Sequence, residues 1–113
     1  MRGDFIKADN GKARVSLVEP DFILGVANVL TFGANKYEAG NWKKLDDSEL
    51  YRYKDALLRH TLQYLNGEYY DKESGLPHLD HMATNIMFIR HFEEKKTRGE
   101  DHPNQTYINF EGE

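Results

Sequence analysis

The stretch Arg59–Asn85, RHTLQYLNGEYYDKESGLPHLDHMATN, reads as the end of one helix, a turn, and the start of the next. Gly67 supplies the stop of the first helix, and the second opens at His78, directly after Pro77. At about 100° per residue, His78, His81 and Asn85 fall on one face with Phe88, Ile89 and Phe92, so a stripe that starts with polar ligand types turns apolar. A core-directed face rich in imidazole must satisfy its nitrogens with a hydrogen bond, a metal or a substrate. The stretch also gathers three of the five histidines, His60, His78 and His81, around Glu68, Asp71 and Glu73. It is therefore a candidate site as well as the hinge of the fold.

Working outward, the helix that ends at Asn66 starts near Ser48, a fair N-cap with Asp46 and Asp47 beside it. Tyr51, Leu58, Leu62 and Leu65 form one apolar stripe on it, and Leu50, Leu57 and Tyr64 a second, which predicts a helix packed on two sides. Its remaining face carries Arg52, Ala56, Arg59, His60 and Gln63. An earlier helix starts at Asp21, after Pro20 has restricted Glu19, and places Phe22, Ile23, Val26, Val29 and Leu30 at a period of 3.6 until Gly33 or Gly40 ends it. The helix from His78 extends to about Lys96, with Leu79, Met82, Ile86, Phe88, Ile89 and Phe92 toward the core and a solvated end in EEKKTRGED.

Three long helices with short connections predict an all-α fold, a small antiparallel helical bundle of one domain. The expected organisation is an extended N-terminal arm over 1–18, a helical domain over 19–98 and a tail over 99–113. The small size and exposed aromatics predict a homodimer or higher homo-oligomer, with a site shared between subunits as one arrangement.

With 113 residues and 39% hydrophobic content, the chain can bury only a modest core. A formal charge of -4 and a pI near 5.7 argue against a general nucleic-acid binder, which needs a basic surface to neutralise phosphates. Small anionic ligands need only a local cluster of Arg and Lys. With no cysteine, disulfides and thiolate metal sites are excluded, leaving His, Asp and Glu as the strong ligands. Neither a signal peptide nor an apolar run near 18 residues is read in the sequence, so the expected location is the cytoplasm, with no membrane partner.

Two groups of residues carry candidate chemistry. His60, Asp71, His78 and His81, with Glu68 and Glu73 nearby, combine an HxxH pair on one helix with oxygen ligands from the preceding loop. That mixed nitrogen and oxygen set suits Mn²⁺, Zn²⁺ or another divalent ion such as Co²⁺. Taken singly, each has a structural role open to it: His78 as a helix cap, His81 as a bonded core residue, Asp71 and Glu73 as turn solvators. In the second group, Lys36, Lys43, Lys44, Arg52 and Arg59 can bind phosphate oxygens, Tyr37 or Trp42 can stack on a base, and Asn41 or Asn85 can read a base or sugar edge. Here too the ordinary alternatives stand, with solubilising lysines, a Trp42 plug and an Arg52–Asp55 pair at i+3.

The ordered set KYEAGNW, RYKDALLRH and GEYYDKESGLPHLDHMATN resembles the phage and prophage family of dATP/dGTP diphosphohydrolases over about residues 19 to 92. That family stands near the all-α MazG-type nucleotide pyrophosphohydrolases, which cleave a nucleoside triphosphate between its α and β phosphates. The resemblance implies a purine deoxynucleotide substrate, dGTP or dATP, products of monophosphate and pyrophosphate, and Mg²⁺ or Mn²⁺. On that reading His60, Glu68 and Glu73 serve catalysis, His60, Asp71, His78 and His81 hold metal, and Lys36, Tyr37, Asn41, Trp42, Arg52, Arg59 and Asn85 bind the nucleotide. The chain departs from the MazG-type pattern, since its second helix lacks the expected glutamate set and HLDH stands where ExxD belongs. Either His78 and His81 take over as ligands or the site is built differently. Three other readings fit the same residues: a protein that sequesters a nucleotide without cleaving it, a helical interaction module whose histidines are core residues, and a phosphohydrolase with HD-like ligand chemistry, although the adjacent HD pair is absent.

Overall fold

The computed structural model describes residues 11–36 and 49–99, with their side chains except those of Lys36 and 96–99. These residues form one turn of 3-10 helix at Val15–Leu17 and three α-helices: α1 (Pro20–Lys36), α2 (Leu50–Leu65) and α3 (His78–Gly99). There is no strand among the described residues beyond a single antiparallel bridge between Tyr70 and Pro77. The all-α expectation is therefore met, and α3 is the central element, packing chiefly on α2 and less extensively on α1.

Each helix boundary has a local cause. Pro20 occupies the first position of α1, one residue before the expected start, because a residue with no amide proton loses nothing there. The amides of Phe22 and Ile23 close onto the Glu19 carbonyl. The helix runs through Gly33 to Lys36 rather than stopping there, so a cost of about 1 kcal/mol for an interior glycine is absorbed. At the start of α2, Glu49 stands at the N-cap and makes no side-chain cap bond, while the predicted cap Ser48 lies outside the described residues. Asn66 ends α2 as predicted, its amide turned back onto the Leu62 carbonyl and that of Gly67 onto Tyr64. The third helix begins at His78 as expected and continues beyond Lys96 to Gly99.

The apolar core of the described residues is small: Val29, Leu50 and Phe92 are its buried hydrophobics. Tyr53 joins α2 to α3 by resting on Phe92 in a stacked arrangement (centroids 5.9 Å apart) and on Phe88 (4.7 Å). Between α1 and α3 the contact is closer, because a Cβ at Gly25 would come within 2.5 Å of the Asp80 carboxyl carbon. Only a glycine lets that carboxylate lie against the backbone of α1.

On α2 the two predicted stripes have different fates. Leu50 is buried and Leu57 and Tyr64 are half-buried, whereas Tyr51, Leu58, Leu62 and Leu65 are exposed. The predicted packing on two sides is thus realised on one side among the described residues. Phe22 and Ile23 of α1 and Leu79 and Ile86 of α3, expected toward the core, are likewise exposed. No helix among the described residues is long and apolar enough to cross a membrane.

Candidate functional site

The site forms where the C-terminal half of α2, the connecting loop and the first turns of α3 meet. The loop is held by its own backbone: the Asp71 amide donates to Leu76, the Gly75 amide to Asp71, and the His78 amide to the Tyr69 carbonyl, each at 2.8 Å. Asp71 Oδ2 accepts the Ser74 amide at 2.8 Å, an Asx-type closure that fixes the carboxylate toward the helices. This anchoring brings a loop acid to the same place as helical imidazoles separated from it in sequence.

Three histidines converge there, all buried: His78 with no exposed surface, His60 at 5% and His81 at 8%. His60 Nδ1 and His78 Nδ1 lie 2.8 Å apart, and His78 Nε2 lies 3.0 Å from Glu68 Oε2. Because Glu68 offers an acceptor, the consistent assignment has His78 Nε2–H donating to the carboxylate and His60 Nδ1–H donating to His78 Nδ1. His60 Nε2 is then a bare nitrogen. The His60 and His81 rings stack face to face, 4.4 Å between centroids and 4° from parallel. Ser74 Oγ, which accepts the Leu76 amide, sits 2.7 Å from His81 Nε2, and Asp71 Oδ2 is 3.8 Å from the same nitrogen.

Burial sets the protonation of this cluster. It drives His60 down to about 4, aided by the neighbouring His81 and opposed by Asp71. His81 is lowered as well, first by burial, against the raising influence of Asp71. For Asp71, burial pushes the carboxyl up, but the Ser74 hydrogen bonds and the His81 and His60 imidazoles outweigh it and hold it below its ordinary value. At neutral pH the site therefore presents neutral His60 and His81 beside an ionised Asp71.

This donor set fits a divalent cation. His60, Asp71 and His78 each offer a ligand atom, and these atoms all lie within 4.8 Å of one another. Ligands about 2.1 Å from a tetrahedral ion stand about 3.4 Å apart, so the widest separation would close by up to about 1.4 Å on binding. Two imidazole nitrogens facing each other at 2.8 Å need a proton or a cation between their lone pairs. The Glu68 contact to His78 Nε2 is the carboxylate–histidine arrangement that orients a ligating ring and fixes its tautomer.

The structure distributes the other candidate residues widely. Glu73 is exposed at the rim, where its charge raises His81. Arg59 is exposed, its charge opposing protonation of His60, and Arg52 pairs with Glu49 Oε1 at 2.7 Å rather than with Asp55. Asn85 is buried and donates its amide to the His81 carbonyl at 2.9 Å. Lys36 ends α1, while Tyr37, Asn41, Trp42, Lys43 and Lys44 lie outside the described residues. Ser74 was not singled out in the sequence, although the D-x-x-S spacing from Asp71 carries the signal of a side-chain-closed turn.

Fold and site together define a small all-α protein with a buried imidazole and carboxylate centre suited to a divalent cation. Its residues 3–102 match the family described as dATP/dGTP diphosphohydrolase, N-terminal, and the chain belongs to that family. A protein of Salmonella phage PMBT28 named dATP/dGTP diphosphohydrolase is 43% identical over 84 residues, which make up 74% of this chain and 28% of that relative. The chain thus spans little more than a quarter of the relative it matches. No solved structure matches it.

Proposed function

We propose that this chain hydrolyses purine deoxynucleoside triphosphates, dGTP or dATP, to the monophosphate and pyrophosphate with the help of a divalent cation. The observation that carries the reading is the buried His60–His78 nitrogen pair, flanked by Asp71 and backed by Glu68. Membership of the diphosphohydrolase family supports the substrate class.

His60, Asp71 and His78 would hold the ion, Mg²⁺ or Mn²⁺ with Zn²⁺ or Co²⁺ as alternatives, and His81, outside that group of three but beside Asp71, would be a further ligand. When bound, the ion supplies charge neutralisation on the phosphoryl oxygens and lowers the pKa of water, the two main demands of phosphoanhydride hydrolysis. The residues themselves do the rest. Glu68 keeps the His78 ring in one orientation by accepting its Nε2–H. Ser74 holds the His81 ring edge and, through its amide, the Asp71 carboxylate, so that both are positioned before substrate arrives. Glu73, at the rim, is the carboxylate we assign to the proton of the attacking water. Arg59, Arg52 and Lys36 are assigned to the phosphate oxygens, and Tyr37, Trp42, Asn41 and Asn85 to the nucleoside. The chain would work as a homodimer or higher oligomer, a reading supported by the exposed Tyr51, Leu58, Leu62 and Leu65 on the outer face of α2.

Purified protein incubated with each of the four dNTPs and GTP, with Mg²⁺, Mn²⁺ or EDTA, tests this by chromatography of the products. The expected result is dGMP or dAMP with pyrophosphate, in the metal-containing samples alone. Intact nucleotide throughout would overturn the reading, and release of orthophosphate would move the cleavage to another bond.

A further inference from the structure

Beside the imidazole centre, three tyrosines cluster where α2 gives way to the loop, and none of them belongs to the machinery described above. Tyr64 and Tyr69 face each other with centroids 6.4 Å apart at 57°, and Tyr70 meets Tyr69 edge to face at 4.8 Å. Tyr69 and Tyr70 are about half exposed, at 48% and 58%. Tyr64 and Tyr69 flank an open cleft of about 310 Å³, lined also by Leu65 and Gly67. We propose that this cleft is a stacking platform for one face of the planar base of a nucleotide whose phosphates reach the His60–His78 centre. The inference deepens the nucleotide reading and rests on it.

The cleft is shaped by the local sequence. Gly67 has φ of 101°, a backbone state open to glycine and costly for a residue with a Cβ. That turn sends the chain back along α2, so Tyr69 returns to face Tyr64, five residues earlier. A Cβ at Gly67 would meet nothing within 4 Å, so the glycine serves the turn and not the space.

Its position relative to the centre is fixed twice. The Tyr69 carbonyl accepts the His78 amide at 2.8 Å, and the preceding residue, Glu68, accepts from the His78 ring at 3.0 Å. The aromatic ring and the carboxylate that orients a proposed ligand therefore belong to consecutive residues. The opening angle favours a flat aromatic guest lying on one ring with its edge toward the other, and the apolar sides of Tyr64 and Leu65 suit a base better than a phosphate.

Calorimetric titration with dGTP and, separately, with inorganic triphosphate in Ca²⁺ tests the assignment on wild type, Tyr69→Leu, Tyr69→Phe and Tyr64→Leu. Circular dichroism of each variant establishes that the helices are retained. Stacking on an aromatic ring is worth on the order of ten-fold or more in affinity. Tyr69→Leu and Tyr64→Leu should weaken dGTP by about that factor and leave triphosphate unchanged, while Tyr69→Phe restores dGTP binding. Equal weakening of both ligands, or unchanged dGTP binding, would overturn the platform. Turnover measured in parallel with Mg²⁺ separates the two ideas: base-dependent binding without product would overturn the hydrolase reading and leave the platform standing.

Discussion

The loop end of the molecule and the outer face of α2 invert the usual arrangement of a small domain. At the loop end, His60, His78, His81, Thr84 and Asn85 are buried, more polar side chains than the three hydrophobics that are buried among the described residues. On the outer face of α2, Tyr51, Leu58, Leu62 and Leu65 stand 60–74% exposed. A buried polar group left without a partner costs about 1–3 kcal/mol, so the first region is tolerable because these side chains find hydrogen-bond partners in one another, in Glu68 and Ser74, and in the backbone of α3. The second region is covered by none of the described residues. On the proposed reading the imidazoles at the loop end serve a ligand and the leucines on α2 a second copy of the chain.

The largest effect should come from breaking the polar end at its centre. His78→Ala removes a proposed ligand, strands Glu68 and leaves His60 Nδ1 without its acceptor; metal-dependent turnover should fall at least about 1000-fold while helical circular dichroism persists. Turnover within ten-fold of wild type would remove His78 from the centre. Glu68→Gln is milder, because it keeps the shape and loses the charge behind the ring. A drop in metal affinity of about 10–100-fold, measured by titration, is expected for such a supporting carboxylate.

Acid should weaken the same region. In the folded protein His60 sits near 4 against about 6.5 when unfolded, so below pH 6.5 the unfolded chain takes up a proton that the folded chain refuses. The stability held above pH 6.5 should decline as pH falls and level off near pH 4, by up to roughly 3 kcal/mol from this group. Denaturant unfolding in EDTA at pH 7.5 and pH 4.5 measures it; equal stability at both would contradict the buried, neutral His60. Smallest in folding energy is the change on the apolar face. Leu58→Glu with Leu62→Glu should shift sedimentation to a smaller species while altering unfolding by under about 1 kcal/mol, and an unchanged oligomer would place the contact elsewhere.

How much of this was legible in sequence follows from which signals are local. The 3.6-residue stripe of α3, its start after Pro77 and the stop of α2 at Asn66–Gly67 are local, and they were readable. The gathering of His60, Asp71, His78 and His81 was readable as a cluster because the loop is short. The pairing of His60 Nδ1 with His78 Nδ1 was not, since it depends on how α2 and α3 slide and rotate against each other. The stripe Leu58–Leu62–Leu65 predicts a packed face, and among the described residues it stands exposed. Arg52 shows the limit within a single helix: Glu49 and Asp55 are both three residues away, and the structure selects Glu49. Ser74 was hidden because its role appears only once the Asp71 turn closes and brings its hydroxyl to His81.

The central claim is that the buried imidazole and carboxylate cluster is a cation centre, and Mn²⁺ titration followed by electron paramagnetic resonance tests it most directly. Wild type should deplete the free Mn²⁺ signal in proportion to protein, Arg52→Ala should match it, and His78→Ala should leave the signal undiminished. Equal depletion by wild type and His78→Ala would contradict the account.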